Sequence, residues 1–276
     1  MKNNKRIAKI ICSLCLWSLV LLCIVPFIWM VSASFKREAD IFAVPFRLIP
    51  DYLNLQNFKE VWFGKYSYSL MFLNSAKVTL LSVGFAVTTS ILAGYGFSKI
   101  KFPGRDKIFL LYLATMMIPS QVTLIPKFVM FNKMGLTGTH LTLILPGLIT
   151  ITGTFLMRQY FMQIPDELRE SARVDGANEY VIWARIMVPI AKPSMASLAM
   201  VVFLWNWNSY LEPLVFLSDW RLYTIPIALT NFIEESVTEY NLVMAAAASA
   251  LIPAFLVFIF GQKFLVKGLV SGAVKG

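Results

Sequence analysis

Few residues in this sequence could perform metal or redox chemistry. The three cysteines, Cys12, Cys15 and Cys23, all fall in the first apolar stretch. Cys12 and Cys15 have the CxxC spacing of a metal site, but no second pair follows, and the single histidine, His140, cannot complete a histidine-based cluster. The sequence therefore predicts no metal site, and we expect the cysteines to serve in helix packing.

The motifs of common catalytic sites are also missing. The chain has no GxxxxGK(S/T) loop to grip ATP phosphates, no HExxH motif and no pair of carboxylates inside an apolar stretch. We therefore predict no catalytic residue. An ion-coupled carrier would place several Asp, Glu or His residues in its membrane spans. The apolar stretches here hold almost none, so the energy for any transport is expected to come from another protein.

Polar residues do interrupt the fifth apolar stretch, which reads FLWNWNSYLEPLVFLSDW. Polar groups are costly inside a membrane and usually face protein or water. Four residues of this stretch are therefore candidates for a translocation path: Trp205, Asn206, Asn208 and Tyr210. Trp205 and Trp207 could stack on a sugar or mark the membrane interface, and the sequence leaves both interpretations open.

The composition indicates the class of protein to which these residues belong. The chain has 276 residues, of which 58% are hydrophobic and 14% charged, and its mean hydropathy is +0.67. These values predict an all-α integral membrane protein, and they explain the net charge of +10 by basic cytoplasmic loops rather than by nucleic-acid binding. A membrane helix needs about 20 apolar residues. The sequence offers about six such spans: 10–34, 72–98, 108–131, 141–161, 195–216 and 242–264.

Two of these spans carry further signals. In the second span, Ala86, Ser90 and Gly94 are four residues apart, which predicts a small-residue face that packs closely against another helix. In the third, Pro119 and Pro126 remove backbone hydrogen bonds, and we expect both to kink the helix.

The distribution of Lys and Arg predicts the topology. With the amino terminus in the cytoplasm, roughly twice as many of these residues fall inside as outside, which favours cytoplasmic positions for both termini. The predicted segments are a cytoplasmic tail with the first span (1–35), an extracytoplasmic loop (36–71), a membrane core (72–266) and a cytoplasmic tail (267–276).

One charged segment, residues 164–193, interrupts the membrane core. It reads IPDELRESARVDGANEYVIWARIMVPIAKP and is too polar to be buried in lipid. Pro165 and the acidic residues after it predict the start of a helix, and Gly176 can take the left-handed conformation that closes one. Asn178 is a suitable cap for a second short helix, which we expect to stop before Pro189. The charged segment is thus predicted to be two helices around a glycine joint, lying at the cytoplasmic surface as a docking element.

This segment resembles the EAA loop of the permease subunits of ABC importers. The resemblance rests on ESARVDGA, residues 170–177, followed by Pro189 and Pro193, with Ser171 in place of an alanine and Val188 in place of a leucine. It extends over nearly the whole chain, and the terminal GLVSGAVKG is similar to the ending of MalG-like permeases of carbohydrate importers.

The resemblance implies a type I ABC importer permease fold and a set of residues that couple it to an ATPase. These are Glu170, Ala172, Asp175, Gly176, Ala177, Pro189 and Pro193. It also implies four kinds of contact: a second homologous permease chain, an ATPase dimer, an extracytoplasmic sugar-binding protein and membrane lipid. ATP and magnesium would be used by the ATPase, and no cofactor would bind this chain. An importer of a non-sugar solute and a secondary carrier are the alternatives.

Overall fold

The computed structural model describes the backbone of residues 2–64, 67–235 and 239–273, and the side chains of residues 9–64, 67–230 and 239–264. Within these residues the chain forms fourteen α-helices. They are α1 (Lys2–Ser34), α2 (Glu38–Ile41), α3 (Gln56–Phe63), α4 (Tyr68–Lys99), α5 (Arg105–Ala114), α6 (Ser120–Lys133), α7 (Leu141–Ile144), α8 (Ile151–Gln163), α9 (Glu167–Val174), α10 (Glu179–Ile182), α11 (Val188–Trp207), α12 (Leu211–Phe216), α13 (Ile225–Glu235) and α14 (Tyr240–Ala273).

Five of the described helical stretches are long and apolar enough to cross a membrane, and a bent pair brings the number to six. The five are Lys9–Ser34, Tyr68–Lys99, Leu141–Gln163, Glu179–Trp207 and Tyr240–Phe264. The all-α membrane fold predicted from composition is therefore confirmed. The last predicted segment, 267–276, lies outside the residues whose side chains are described, although the helix α14 continues to Ala273.

The bent pair occupies the position of the third predicted span. Arg105–Met117 and Ser120–Lys133 meet at an angle of 96°, and Pro119 immediately precedes the second helix. The kink expected at Pro119 is confirmed as a full break. Pro126 lies inside α6, which continues to Lys133, so this second proline does not end the helix.

The fifth span differs from its prediction at both ends. Pro189 does not stop a helix, because α10 continues through a π-helical turn, Trp183–Met187, directly into α11. Proline lacks an N–H and crowds the preceding turn. A π turn widens the helix by one residue at that place and so accommodates it. At the other end α11 stops at Trp207, and α12 is a separate short helix.

By internal contacts the chain divides into two units, of which the first is residues 1–69 and 228–252. Its loop after α1 is held by polar bonds. The buried Asn57 donates from Nδ2 to the carbonyls of Ser34 and Lys36, both at 2.8 Å. Trp62 and Tyr68 bond to residues of α14, Ser249 at 3.1 Å and the Ala246 carbonyl at 2.8 Å. The loop is thus fixed by protein contacts within this unit.

The second unit, residues 70–227 and 253–276, contains the charged segment. The small-residue face of α4 predicted from spacing is confirmed, since Ala86 and Ser90 are buried and Gly94 lies directly on α8. A Cβ atom on Gly94 would come within 2.6 Å of the Met157 Cβ and 2.9 Å of the Arg158 amide nitrogen. This close approach lets α4 and α8 enclose a core with α11.

Candidate coupling site

The glycine joint of the charged segment has the geometry that its sequence predicts. Helix α9 ends at Val174, and Gly176 follows with a φ of 81°. The Gly176 amide donates to the Arg173 carbonyl and the Ala177 amide donates to the Ala172 carbonyl, both at 3.0 Å. This pair of bonds is the Schellman arrangement, in which a left-handed residue satisfies the last carbonyls of a helix. The joint is therefore a defined turn.

The second helix of the segment begins at its predicted cap. The Asn178 side chain accepts a hydrogen bond from the Val181 amide at 2.9 Å. Because α10, the π turn and α11 form one helical stretch, Glu179–Trp207, the joint is attached directly to a membrane span.

One face of the charged segment is exposed and partly apolar. Glu170, Asp175 and Gly176 are exposed, as are the side chains of Val174 at 88% and Tyr180 at 71%. These two apolar side chains are available for contact with another protein. Sequence reasoning missed Val174 and Tyr180. The available signal was their position in the sequence, since Val174 stands between Arg173 and Asp175, and Tyr180 follows Glu179.

The opposite face is anchored. Ala172 and Ile182 are buried in the core cluster of the second unit, and Ala177 packs against it. Of the remaining residues assigned to coupling, Pro189 is exposed at the start of α11 and Pro193 lies partly buried one turn further on. The structure thus groups Glu170, Ala172 and residues 175–177 at the joint, while the two prolines lie on the helix that leads away from it.

An ionic cluster ties the two helices of the charged segment to each other and to α4. The Glu179 carboxylate accepts from Arg169 Nε and from an Arg173 guanidinium nitrogen, each at 2.8 Å. It also accepts from the Tyr95 hydroxyl, which projects from α4. Arg169 is largely buried, its side chain being 11% exposed, so water screens this contact only in part. Glu179 therefore connects three elements.

Lys99, the last residue of α4, makes a second anchor. Its side chain is 5% exposed, and Nζ donates to the Ile164 carbonyl and to the Asp166 carboxylate, both at 2.6 Å. The hydrogen bond from the Lys99 ammonium holds the pKa of the Asp166 carboxyl below its ordinary value. Together with Glu179, this contact fastens α4 to both helices of the charged segment.

The residues assigned to a translocation path differ in exposure and in their contacts. Asn206 donates to the Val202 carbonyl at 2.9 Å and borders a small cavity, whereas Asn208 is exposed and donates to the Leu204 carbonyl at 2.8 Å. Trp205 is 56% exposed and Tyr210 is 40% exposed. Trp207 is buried and stacks on Phe203, with 5.4 Å between ring centroids, which does not suit sugar stacking.

Fold and site together define a multi-span membrane subunit whose exposed helical joint is clamped to its bundle. The sequence model of the binding-protein-dependent transport system inner membrane component family matches residues 86–271. This chain belongs to that family.

Two named relatives align with this chain over most of their length. The chain is 33% identical over 253 residues to the arabinooligosaccharides transport system permease protein AraQ of Halalkalibacterium halodurans, covering 91% of each chain. It is 34% identical over 278 residues to the sn-glycerol-3-phosphate transport system permease protein UgpE of Yersinia pestis, covering 98% of this chain and 99% of that one.

A solved structure has the same fold. It is the crystal structure of a bacterial ABC transporter involved in the import of the acidic polysaccharide alginate, with a TM-score of 0.85 and 23% identity over 94% of this chain and 97% of that one. The present chain is accordingly an inner-membrane, multi-pass permease subunit of an ABC importer, which is driven by ATP. It is a transport component and not an enzyme.

Proposed function

We propose that this chain forms half of the translocation pathway of a carbohydrate importer. Its transported solute is an oligosaccharide or related carbohydrate. Residues 164–193 couple the pathway to a separate ATPase. The observation that carries the coupling role is the position of the joint. It is exposed on one face, clamped to α4 by Glu179 and Lys99 on the other, and continuous with a membrane span through the π turn. The sugar class is supported by the arabinooligosaccharide relatives, which are 31% to 33% identical.

The proposed partners follow from this role. A second homologous permease chain supplies the other half of the pathway, an ATPase dimer binds the exposed joint, and an extracytoplasmic binding protein delivers the sugar. In the alginate system, a solved structure holds the transporter with a pentasaccharide-bound periplasmic protein. The ATPase hydrolyses ATP with magnesium as its cofactor, and both termini of this chain lie in the cytoplasm.

The mechanism is alternating access. ATP binding closes the ATPase dimer and moves the joints of the two permease chains, which shifts the attached spans toward an outward-open state. Glu170, Asp175, Gly176 and Ala177 meet the ATPase, and Ala172 holds α9 in the core. Pro189 and Pro193 carry the motion into α11. The residues that line the pathway are Trp205, Asn206, Asn208 and Tyr210.

Uptake by the reconstituted transporter tests this function. The chain is purified with its native partners, placed in liposomes with internal ATP, and offered its binding protein with labelled arabinotriose, maltotriose or sn-glycerol-3-phosphate. We expect ATP-dependent uptake of at least one neutral sugar. Uptake of none of the sugars, or uptake that persists without ATP, would contradict the proposal.

A second candidate solute is sn-glycerol-3-phosphate. It is favoured by the relatives named for that solute, which are 34% identical over 98% of this chain. Exclusive uptake of sn-glycerol-3-phosphate in the same assay would establish this alternative and reject the sugar class.

A further inference from the structure

A small polar pocket lies within the second unit, away from the charged segment. Its cavity is about 10 Å³, enough for one water molecule, and it is bordered by α4, α7, the end of α11 and α12. Its polar lining consists of Ser75, Thr79, Asn206, Ser209, Glu212 and Thr224.

Two hydroxyl groups in this lining have unused hydrogen-bonding capacity. Thr79 is 1% exposed and Thr224 is 4% exposed, and neither hydroxyl oxygen has a hydrogen-bond partner among the residues that the structure describes. A buried hydroxyl without a partner is costly, and in native proteins it is usually matched by water or a ligand. Thr79 and Thr224 line the same cavity.

Hydrogen bonds near these hydroxyls fix the positions of the residues that carry them. Ser75 accepts from the Ile225 amide at 2.8 Å, and Asn74 donates to the carbonyls of Arg221 and Tyr223 at 2.8 and 3.1 Å. The loop that carries Thr224 is thereby pinned to α4. Thr79 and Thr224 are fixed relative to each other, as a binding site requires.

One lining residue of the pocket, Glu212, belongs to an ion pair. Glu212, on α12, accepts from Lys127 Nζ at 2.9 Å, and Lys127 lies on α6 after the 96° break. The Lys127 side chain is 28% exposed and the Glu212 side chain is 33% exposed. Ionised side chains inside a membrane protein are expensive and generally functional. A shift of α6 relative to α12 would separate the pair.

We propose that this polar pocket is the closed form of a subsite for hydroxyl groups of the transported carbohydrate, with Lys127 and Glu212 as its closure. The inference rests on the proposed function. Hydroxyl, carboxamide and carboxylate side chains can each bond a sugar hydroxyl as donor or acceptor. In the open state Thr79, Thr224 and Asn206 bond the sugar, and in the closed state the cavity has room for a single water molecule.

The uptake assay with reconstituted transporter tests the subsite. The double variant Thr79→Val, Thr224→Val removes both hydroxyls with little change in shape, and we expect the arabinotriose or maltotriose uptake rate to fall by roughly tenfold. Ser82→Ala is the matched control. Its hydroxyl is also buried on α4 without a described partner, but it does not line the pocket, so we expect uptake at the wild-type rate.

Protection from a thiol reagent gives a second measurement if the double variant fails to assemble. Thr224→Cys is made in a background where Cys12, Cys15 and Cys23 are serine, and N-ethylmaleimide labelling is followed during ATP turnover. We expect binding protein loaded with the sugar to slow labelling at least about fivefold relative to empty binding protein, because the sugar covers the site. Ser82→Cys should show no such difference.

The outcomes separate the two proposals. If the wild-type transporter imports neither sugar, the proposed function fails, and the subsite fails with it. If it imports a sugar while the double valine variant matches Ser82→Ala, or while Thr224→Cys is not protected, the pocket holds only a structural water molecule and the subsite alone is overturned.

Discussion

Glu179 holds the two helices of the charged segment together and to α4. It bonds to Arg169, Arg173 and Tyr95, and so joins α9, α10 and α4. Hydrogen bonds to charged groups are stronger than neutral ones, and a partner left behind in a partly buried site adds a penalty. Loss of the Glu179 charge should therefore loosen the segment as a whole.

Glu179→Gln tests this role. We expect sugar uptake to fall by about tenfold and the free energy of unfolding to fall by about 1–2 kcal/mol, because the amide replaces a charge-assisted acceptor. The readouts are uptake by the reconstituted transporter and its thermal unfolding. Glu167→Gln removes the same charge from an exposed position of α9 and serves as the control. Equal behaviour of the two variants would contradict the role of Glu179.

Asp166 gives a prediction about pH. Its pKa is lowered by Lys99, so the ion pair stabilises the folded protein fully above the unfolded carboxyl pKa of about 4 and loses its effect as the pH falls through the lowered folded value. We expect the difference in melting temperature between wild type and Asp166→Asn to be constant from about pH 5 to pH 8 and to shrink below about pH 4. A difference that disappears near neutral pH would show that another group controls this anchor.

Among the helices, the packing of α4 on α8 positions the two anchors of the charged segment, because Tyr95 and Lys99 follow Gly94 on the same helix. Contact at Gly94 involves the backbone of α8 at Arg158, which cannot yield as a side chain can. The small-residue face is therefore a structural requirement of the coupling site.

Gly94→Ala should separate these helices. We expect a loss of about 1–3 kcal/mol in the free energy of unfolding from overpacking, together with slower uptake. Gly96→Ala is the control, since a Cβ atom there would meet nothing within 4 Å. Alanine favours a helix over glycine by about 1 kcal/mol, so the control should unfold at or above the wild-type temperature. A stable, active Gly94→Ala variant would show that the contact is not needed.

Local signals allowed much of this architecture to be predicted from sequence. The helix break at Pro119, the left-handed Gly176 and the cap at Asn178 follow from the chemistry of single residues, and all three are confirmed. The helix stop expected before Pro189 was wrong. A π turn depends on how neighbouring helices pack, and no residue type announces it.

Contacts between polar groups that are far apart in the sequence could not be predicted either. The cluster around Glu179 joins residues 84 positions apart, Tyr95 and Glu179, and the polar pocket brings Thr79 beside Thr224. Such pairings arise only when the helices pack, so the sequence offered Asn206 as a candidate but not the threonines that share its cavity. The extent of the fifth span was wrong for a related reason, since α11 ends at Trp207 where the chain turns into α12.

For the whole molecule, we expect an ATPase to dock on the exposed face of the glycine joint. Val174→Asp tests this directly by placing a charge on that face, at an apolar side chain that is 88% exposed. Val44→Asp is the control, because Val44 is 95% exposed in the predicted extracytoplasmic loop and the change is chemically identical. Neither substitution alters a buried contact.

The measurement is the amount of P-loop ATPase recovered per permease chain when each variant is purified gently from its native membrane. We expect recovery at the wild-type level with Val44→Asp and a loss of at least about tenfold with Val174→Asp, as for a hot-spot residue. Equal recovery with both variants would contradict the claim that residues 164–193 form the ATPase docking element.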